Sequence, residues 1–367
     1  MFLAIYGIIC GNEGGFKVLT YSEKEKLKLE INKTLSIMDN DSIQKFLFDS
    51  IAHKSGFDEG LSCGPLYLFA TEDMRTYYKE FDHPETFLTI GASGDQLLNA
   101  ILLGAKKIDV FDSNPLSKRG CALKIEAFKS LTKKDFMKYY RRFSAGIFNR
   151  FSSNLSEQDS IFWNSLYDIK DGEDIARDLF VYKRLEPELI KKINPYLDDE
   201  NYEKLKSMID GVEINYIDAP LYSLPSFLGN RLYDGITLSN IYEYLVFGEN
   251  VNEKEVNVFY EFIMGEIYSR LTKGGKAMIA YLYAFNDDIK AYVDKLFEEH
   301  PDKFLPSGAI RFEDMAFYLQ GLTSQNRSYS LLYDRFKDEN IEKIQTEHVE
   351  YGQSIDMSHD VAMLLKK

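Results

Sequence analysis

The period of apolar and polar positions changes along this chain, and the changes predict alternating strands and helices. The run Thr86–Ile90 is short and apolar, which is typical of a buried strand. A glycine turn follows it, and the apolar run 95–103 then ends at Gly104, as a helix commonly does. Residues 106–112 return to the strand pattern. This stretch therefore predicts a strand–turn–helix–strand unit.

The same alternation returns in the second half of the chain. Strands are predicted at 212–218, 232–240 and 275–283, with candidate closing strands at 327–336 and 359–367. Strands that alternate with helices predict an α/β fold with a doubly wound, mostly parallel sheet. Residues from about 132 to 211 show helical patterns without an obvious strand, so they are predicted to be a helical insertion in that fold.

The prediction divides the chain at residue 85. Residues 1–85 form an N-terminal helical segment, and residues 86–367 form a Rossmann-like domain. Within the first 16 residues, Phe2–Cys10 is apolar but has no basic region before it, so a buried strand or an extension is expected rather than a signal peptide. No stretch is long and apolar enough to predict a transmembrane helix.

Charge narrows the class of partners. The net charge of −14 argues against a general nucleic-acid binder, which needs a basic surface. Basic residues nevertheless concentrate between Lys118 and Arg150, a stretch that contains ten Lys and Arg but only two acidic residues. Two interpretations stay open for this stretch. It forms a solvated helix face, or it is a landing site for an anionic substrate or a peripheral contact with a membrane surface.

Cysteine and histidine positions predict neither a disulfide framework nor a metal site. The three cysteines and five histidines are far apart in the sequence and have no metal-ligand spacing. This cysteine usage predicts a cytoplasmic location. The alternative of a peripheral membrane contact would place the protein at the cytoplasmic surface of a membrane.

Polar residues occur where the predicted strands end. Ligands of doubly wound sheets bind outside the carboxyl ends of the strands, at the point where strand order reverses, so distant residues converge there. Candidate ligand-binding residues at these ends are Gly91, Ser93, Gly94, Asp95, Asp112, Asn114, Asp218, Ser239 and Asn240.

The acid after the second strand suggests a nucleoside ligand. Asp112 lies 21 residues after Gly91, the spacing at which a carboxylate can accept both ribose hydroxyls. The turn does not match the dinucleotide fingerprint, because Asp95 stands where a pyrophosphate would lie. A carboxylate there repels phosphate and favours a cation, so S-adenosylmethionine fits better than NAD. The alternative is an ordinary tight turn and a surface aspartate.

The later strand ends suggest further roles. Asp218 could meet an adenine amino group, or it could simply begin a loop. Ser239 and Asn240 would face the reactive end of the ligand, although they could also cap a helix. Tyr242 and Glu243 follow directly and are the candidate catalytic residues by position.

These motifs resemble the 3-amino-3-carboxypropyltransferases of betaine-lipid synthesis. The resemblance covers roughly residues 86–285 and includes a helical insertion with a Phe-Trp pair. It rests on Ser93-Gly94-Asp95-Gln96, Asp112-Ser113-Asn114-Pro115, Leu123-Lys124, Phe162-Trp163 and Leu238-Ser239-Asn240.

The resemblance implies a class I methyltransferase-type fold with S-adenosylmethionine as the cofactor. It also implies transfer of the 3-amino-3-carboxypropyl group to a hydroxyl acceptor such as diacylglycerol, with methylthioadenosine as the leaving group. A hydroxyl acceptor would need a general base, for which Tyr242 and Glu243 are candidates. Three alternatives stay open: a methyltransferase, an NAD-dependent oxidoreductase, and a non-catalytic relative that only binds the nucleotide.

Overall fold

A mixed sheet organises the computed structural model of the protein. The structure describes residues 66–169, 171–181, 187–246, 253–285, 317–346 and 358–367, with single positions between 291 and 301. In chain order its strands are β1 (Leu66–Tyr67), β2 (Thr86–Ile90), β3 (Lys107–Asp112), β4 (Phe180–Val181), β5 (Glu213–Asp218), β6 (Tyr233–Thr237), β7 (Leu271–Phe285), β8 (Ile341–Thr346) and β9 (Ser358–Lys366).

Seven of these strands form one sheet in the order β5-β3-β2-β6-β7-β9-β8. The first five are parallel, and β9 is antiparallel to both of its neighbours. The order reverses between β2 and β6, which makes their carboxyl ends the topological switch point. The predicted doubly wound, mostly parallel sheet is confirmed, and an antiparallel last strand is the arrangement of the class I methyltransferase-type fold.

Helices connect the strands. Local sequence explains several of their ends: Asn114 caps the helix that begins at Pro115, and Thr132 caps the next one through the amide of Asp135. The described helices are α1 (Met74–Tyr78), α2 (Asp95–Leu103), α3 (Pro115–Ser130), α4 (Lys133–Arg142), α5 (Ala145–Phe148), α6 (Glu157–Ile169), α7 (Gly172–Leu179), α8 (Pro187–Ile193), α9 (Asp199–Met208), α10 (Pro225–Leu228), α11 (Ile241–Val246), α12 (Glu253–Phe262) and α13 (Phe317–Phe336).

Two clusters of buried apolar side chains hold the sheet and the helices together. One contains side chains of α2, α3 and the helices between α3 and β5, and the other contains side chains of α11, α12 and α13. Side chains from Leu66 to Phe81 belong to the first cluster. These residues precede the predicted domain boundary yet pack with the helices that follow it. The rest of the predicted N-terminal segment, 1–65, lies outside the described residues.

Three details differ from the prediction. The expected strand at 327–336 is wrong, because these residues belong to α13. Its buried residues Tyr329, Leu332 and Phe336 are three and four positions apart, which is a helical period. The strand in this part of the chain is instead β8, a polar stretch that the apolar pattern did not predict. The helical insertion also contains the two-residue strand β4, which was not predicted. Across the described residues, no helix combines the length and apolarity that a membrane crossing requires.

Candidate functional site

The glycine turn after β2 forms the centre of the candidate site. The amide of Gly91 donates to the carbonyl of Phe111 on β3 (2.8 Å), and the amide of Gly94 donates to the carbonyl of Gly91 (2.7 Å). A Cβ at Gly91 would lie 2.3 Å from Ser117 Oγ, so only glycine fits between β2 and α3. Ala92 has a positive φ of 40°, which costs energy for a residue with a Cβ.

Asp112 lies at the end of β3, directly beside this turn. Its Oδ2 accepts the amide of Ala92 (2.8 Å), and its Oδ1 accepts the amide of Asn114 (2.9 Å). Burial raises the pKa of Asp112 above its ordinary value, while these two backbone bonds oppose that rise. Asp218, on the neighbouring strand β5, pairs in register with Asp112 and is exposed. The structure thus brings the two predicted strand-end acids together.

Asp95 points into the interior of the protein. Its Oδ1 lies 2.6 Å from the ammonium of Lys124 and accepts the hydroxyl of Tyr196 (2.8 Å), and its Oδ2 accepts the amide of Ala70. The sequence predicted that this carboxylate would hold a ligand's cation. In the structure the ammonium that it holds is that of Lys124, so its charge is compensated within the protein.

Lys124 is equally well partnered. Its ammonium donates to the carbonyl of Leu68 (2.7 Å) and lies over the rings of Phe69 (4.6 Å) and Tyr140 (5.2 Å). The pKa of Lys124 is lowered because burial disfavours its charged form, and the nearby Asp95 partly opposes this shift. The pair therefore joins residues 68–70, α2 and α3 beneath the glycine turn.

Glu72 is a member of the site that the sequence analysis missed. Its buried carboxylate accepts the hydroxyl of Tyr77, the side-chain amide of Gln96 on α2 and, at 2.7 Å, the hydroxyl of Ser239 after β6. It thus contacts both sides of the switch point. No sequence pattern distinguishes Glu72, because an acid beside Asp73 is ordinary in the first turn of a helix.

The segment after β6 forms the other side of the site. Ser239 is buried and has a positive φ of 49°. The neighbouring Asn240 is half-buried, and its carbonyl accepts the amide of Glu243 (3.0 Å). Ser93, in the glycine turn, is also buried, and its hydroxyl accepts the amide of Asp95 (3.3 Å). Its described contact is therefore with the start of α2.

Tyr242 and Glu243 are adjacent in sequence but have different surroundings. The ring of Tyr242 packs against Phe259 (4.9 Å), and its hydroxyl donates to the carbonyl of Ser328 (2.8 Å). Burial raises the pKa of Tyr242, which keeps its proton in place. Glu243 is only 6% exposed, and neither of its oxygens has a hydrogen-bond partner among the described residues. Burial raises the pKa of Glu243 from 4.5 to about 8.

The basic stretch from Lys118 to Arg150 divides into paired and exposed residues. Ion pairs within the described part of the chain involve Arg119, Lys124, Lys129, Lys133 and Arg150. Arg150 is exposed although it is paired, and the exposed basic residues outside these ion pairs are Lys118 on α3 and Lys134, Lys138, Arg141 and Arg142 on α4. The opposite face of α4 is buried in the first core cluster.

Comparisons with known proteins give structural neighbours only. No family model matches the sequence, and no curated protein matches it. Similar solved structures include the N-methyltransferase NodS from Bradyrhizobium japonicum WM9, with 10% identity, 80% of this chain and 91% of that chain covered, and a TM-score of 0.31. Cofactor-bound Rv0187 from MTB has 7% identity, coverages of 93% and 96%, and a TM-score of 0.35.

A third neighbour is the O-methyltransferase from Bacillus cereus in complex with SAH, with 10% identity, coverages of 92% and 97%, and a TM-score of 0.32. At these values the neighbours identify neither a family nor a reaction for this chain, and its fold class rests on the strand order.

Proposed function

We propose that the protein is an S-adenosylmethionine-dependent transferase. One observation carries the proposal: the carboxylate of Asp112 is anchored to the amide of Ala92, at the end of β3 and beside the glycine turn. In a doubly wound sheet this is the position from which an acid accepts the hydroxyls of a ribose. Asp218 lies next to it, where an adenine bound on the same ribose would extend.

The residues at the site also suit the charge of this ligand. S-adenosylmethionine carries a sulfonium, an ammonium and one carboxylate, so its net charge is positive, and it has no phosphate. A site with carboxylates therefore suits it better than a basic site. Glu72, Asp112 and Asp218 supply carboxylates near these strand ends, and Ser239 supplies a hydroxyl. An NAD pyrophosphate would instead need an anion-binding surface.

We propose transfer of the 3-amino-3-carboxypropyl group to a hydroxyl acceptor, on the strength of the motif resemblance. S-adenosylmethionine supplies a carbon activated by the sulfonium. The acceptor oxygen forms a bond to that carbon, the carbon–sulfur bond breaks towards sulfur, and methylthioadenosine leaves. The hydroxyl proton needs a base, and Glu243 is the candidate because its buried carboxylate has no hydrogen-bond partner among the described residues. It would act in its deprotonated form, whose share increases as the pH rises towards its pKa of about 8. Tyr242 is left out of this role because its hydroxyl is bonded to Ser328.

Identifying the spent cofactor tests the reaction. The protein is incubated with S-adenosylmethionine and a lipid-plus-metabolite extract of its source cell, and the products are identified by mass spectrometry. Enzyme-dependent methylthioadenosine is expected. S-adenosylhomocysteine would instead show methyl transfer, for which the same site is suited, and the absence of both products would contradict transferase activity.

Asp112→Ala is the matched control for that experiment. It removes hydrogen bonds to a charged group and is expected to weaken S-adenosylmethionine binding by roughly 1.5–3 kcal/mol. Calorimetry measures this loss directly. An unchanged affinity would remove Asp112 from the site, and binding of NADH but not of S-adenosylmethionine would replace the proposal with the oxidoreductase alternative.

The exposed basic face of α4 supports a second part of the proposal, which is peripheral contact with an anionic membrane. Lys134, Lys138 and Arg141 are spaced four and three positions apart, so they share one face of the helix. Flotation with vesicles of phosphatidylglycerol, compared with phosphatidylcholine alone, tests it. The Lys138→Glu, Arg141→Glu variant is expected to lose vesicle binding, and retained binding would reject this surface.

A further inference from the structure

Glu72 connects the two elements that meet at the switch point. Gln96 lies in the first turn of α2, and Ser239 follows β6, yet both donate a hydrogen bond to Oε1 of this carboxylate. Glu72 itself lies outside the sheet, between β1 and α1, and is 2% exposed. Its position is set by the segment before it, since the amide of Ala70 and the carbonyl of Leu68 are bonded to the Asp95–Lys124 pair.

Two residues with strained backbones follow the strands at the switch point. Ala92 follows β2 and Ser239 follows β6, and both have positive φ values although neither is glycine. Strain of this kind persists only where surrounding bonds enforce it. Each of the two is bonded to an acid from another element: Ala92 to Asp112, and Ser239 to Glu72. Each acid therefore holds one of the two strained residues at the switch point.

The strand order predicts which end of a bound ligand lies over which strands. Strand order places β3, which carries Asp112, on one side of β2, and β6 on the other. If Asp112 holds the ribose, the adenine lies towards β5 and the amino-acid portion extends over the glycine turn towards β6. Glu72 lies in that direction, because its carboxylate accepts the hydroxyl of Ser239 after β6.

We propose that Glu72 is a ligand-binding residue that receives the α-ammonium group of the amino-acid portion, with Ser239 held beside it. This inference rests on the proposed function. An ammonium at a buried carboxylate forms a charge-assisted hydrogen bond, which is stronger than a neutral one. The segment before the sheet therefore contributes to the ligand site and is more than a support for the core.

Glu72→Gln tests the role of the charge, because it keeps the shape and an oxygen that can accept a hydrogen bond. Two neutral thioethers serve as probes in calorimetry: S-adenosylhomocysteine, which carries the amino acid, and methylthioadenosine, which lacks it. The variant is expected to bind S-adenosylhomocysteine at least tenfold more weakly than the wild type and methylthioadenosine within twofold. Glu85→Gln, the same change at an exposed position, is expected to alter neither affinity.

Two outcomes would overturn the inference. An unchanged affinity for S-adenosylhomocysteine would show that Glu72 does not bind the ammonium, and equal losses for both probes would show a purely structural role. If Glu72→Gln fails to fold, the wild type still provides a test with an S-adenosylhomocysteine analogue that lacks the α-amino group. Binding as tight as that of the parent compound would reject an ammonium site.

Failure of the proposed function would look different. A wild type that binds neither probe would contradict the S-adenosylmethionine assignment itself. A wild type that binds both probes, without any dependence on the α-amino group, would contradict only the role of Glu72.

Discussion

The two buried acids that flank the switch point have opposite environments. Asp95, at the start of α2, is bonded to a lysine, a tyrosine and a backbone amide. Glu243, on α11, is nearly as buried but has no hydrogen-bond partner within the described residues, and burial raises its pKa to about 8. Both lie within a few residues of a strand end, and the sequence predicted a role at the ligand site for each: Asp95 in cofactor binding and Glu243 in catalysis.

The difference shows what burial means for function. A buried carboxylate that is paired with a cation of the protein stabilises the fold only while that cation is present. A buried carboxylate without a hydrogen-bond partner binds a proton at neutral pH, and it is therefore able to exchange one with a substrate. On this basis Asp95, which is paired with Lys124, belongs to the framework of the site, and Glu243 is the candidate for its chemistry.

Breaking the Asp95–Lys124 pair is expected to have the largest effect. Lys124→Met keeps most of the side-chain volume but leaves Asp95 buried without its cation. The variant is expected to lose about 3–5 kcal/mol of unfolding free energy. Urea denaturation followed by circular dichroism measures the loss.

The exposed Lys134 provides the control for this change. Lys134→Met is expected to alter the unfolding free energy by less than about 0.5 kcal/mol. Adding Asp95→Asn to Lys124→Met should restore part of the loss, because the uncompensated charge is removed. A single Lys124→Met variant as stable as the control would mean that the pair does not support the fold.

Removing the Glu243 charge is expected to have a smaller effect that depends on pH. Between its ordinary pKa of 4.5 and its folded pKa of about 8, the folded state holds a proton that the unfolded state has released. Stability from this group therefore falls as the pH rises through that window. Glu243→Gln cannot ionise, so we expect it to match the wild type at pH 5 and to exceed it by roughly 2–4 kcal/mol at pH 9.

Thermal unfolding at both pH values checks this expectation, and equal pH dependence in the two proteins would contradict the raised pKa. The transferase rate of the same variant provides a second readout. A general base typically contributes about 10²–10⁴-fold, so a loss of that size is expected.

The fold was largely predictable from sequence because its signals are local. The strand Thr86–Ile90, the helix Asp95–Leu103 and the cap at Thr132 were all predicted from a few neighbouring residues. The strand predicted at 327–336 was wrong because a short apolar run with alternating polar residues fits two periods at once. The polar strand β8 has no such run, and its pairing with β9 decides its structure.

The site was less predictable because its contacts are long-range. Strand-end positions correctly indicated that Asp112 and Asp218 would be adjacent, since parallel strands share a carboxyl edge. No local pattern indicates that Glu72 meets Ser239, which is 167 positions away, or that Lys124 takes the carboxylate of Asp95. Partners of this kind decide whether an acid is structural or reactive.

The smallest expected effect comes from Tyr242, the neighbour of Glu243. Tyr242→Phe removes one hydrogen bond, to the carbonyl of Ser328, and keeps the packing against Phe259. We expect a loss of about 1 kcal/mol of unfolding free energy, which is typical of one such bond, and an unchanged transfer rate. A large loss of rate with normal stability would show that the tyrosine hydroxyl acts on the substrate. In that case the Tyr242 hydroxyl, which is bonded to Ser328, would take part in the reaction although the neighbouring Glu243 carboxylate has no such bond. A hydrogen bond to the protein would then not separate structural groups from reactive ones.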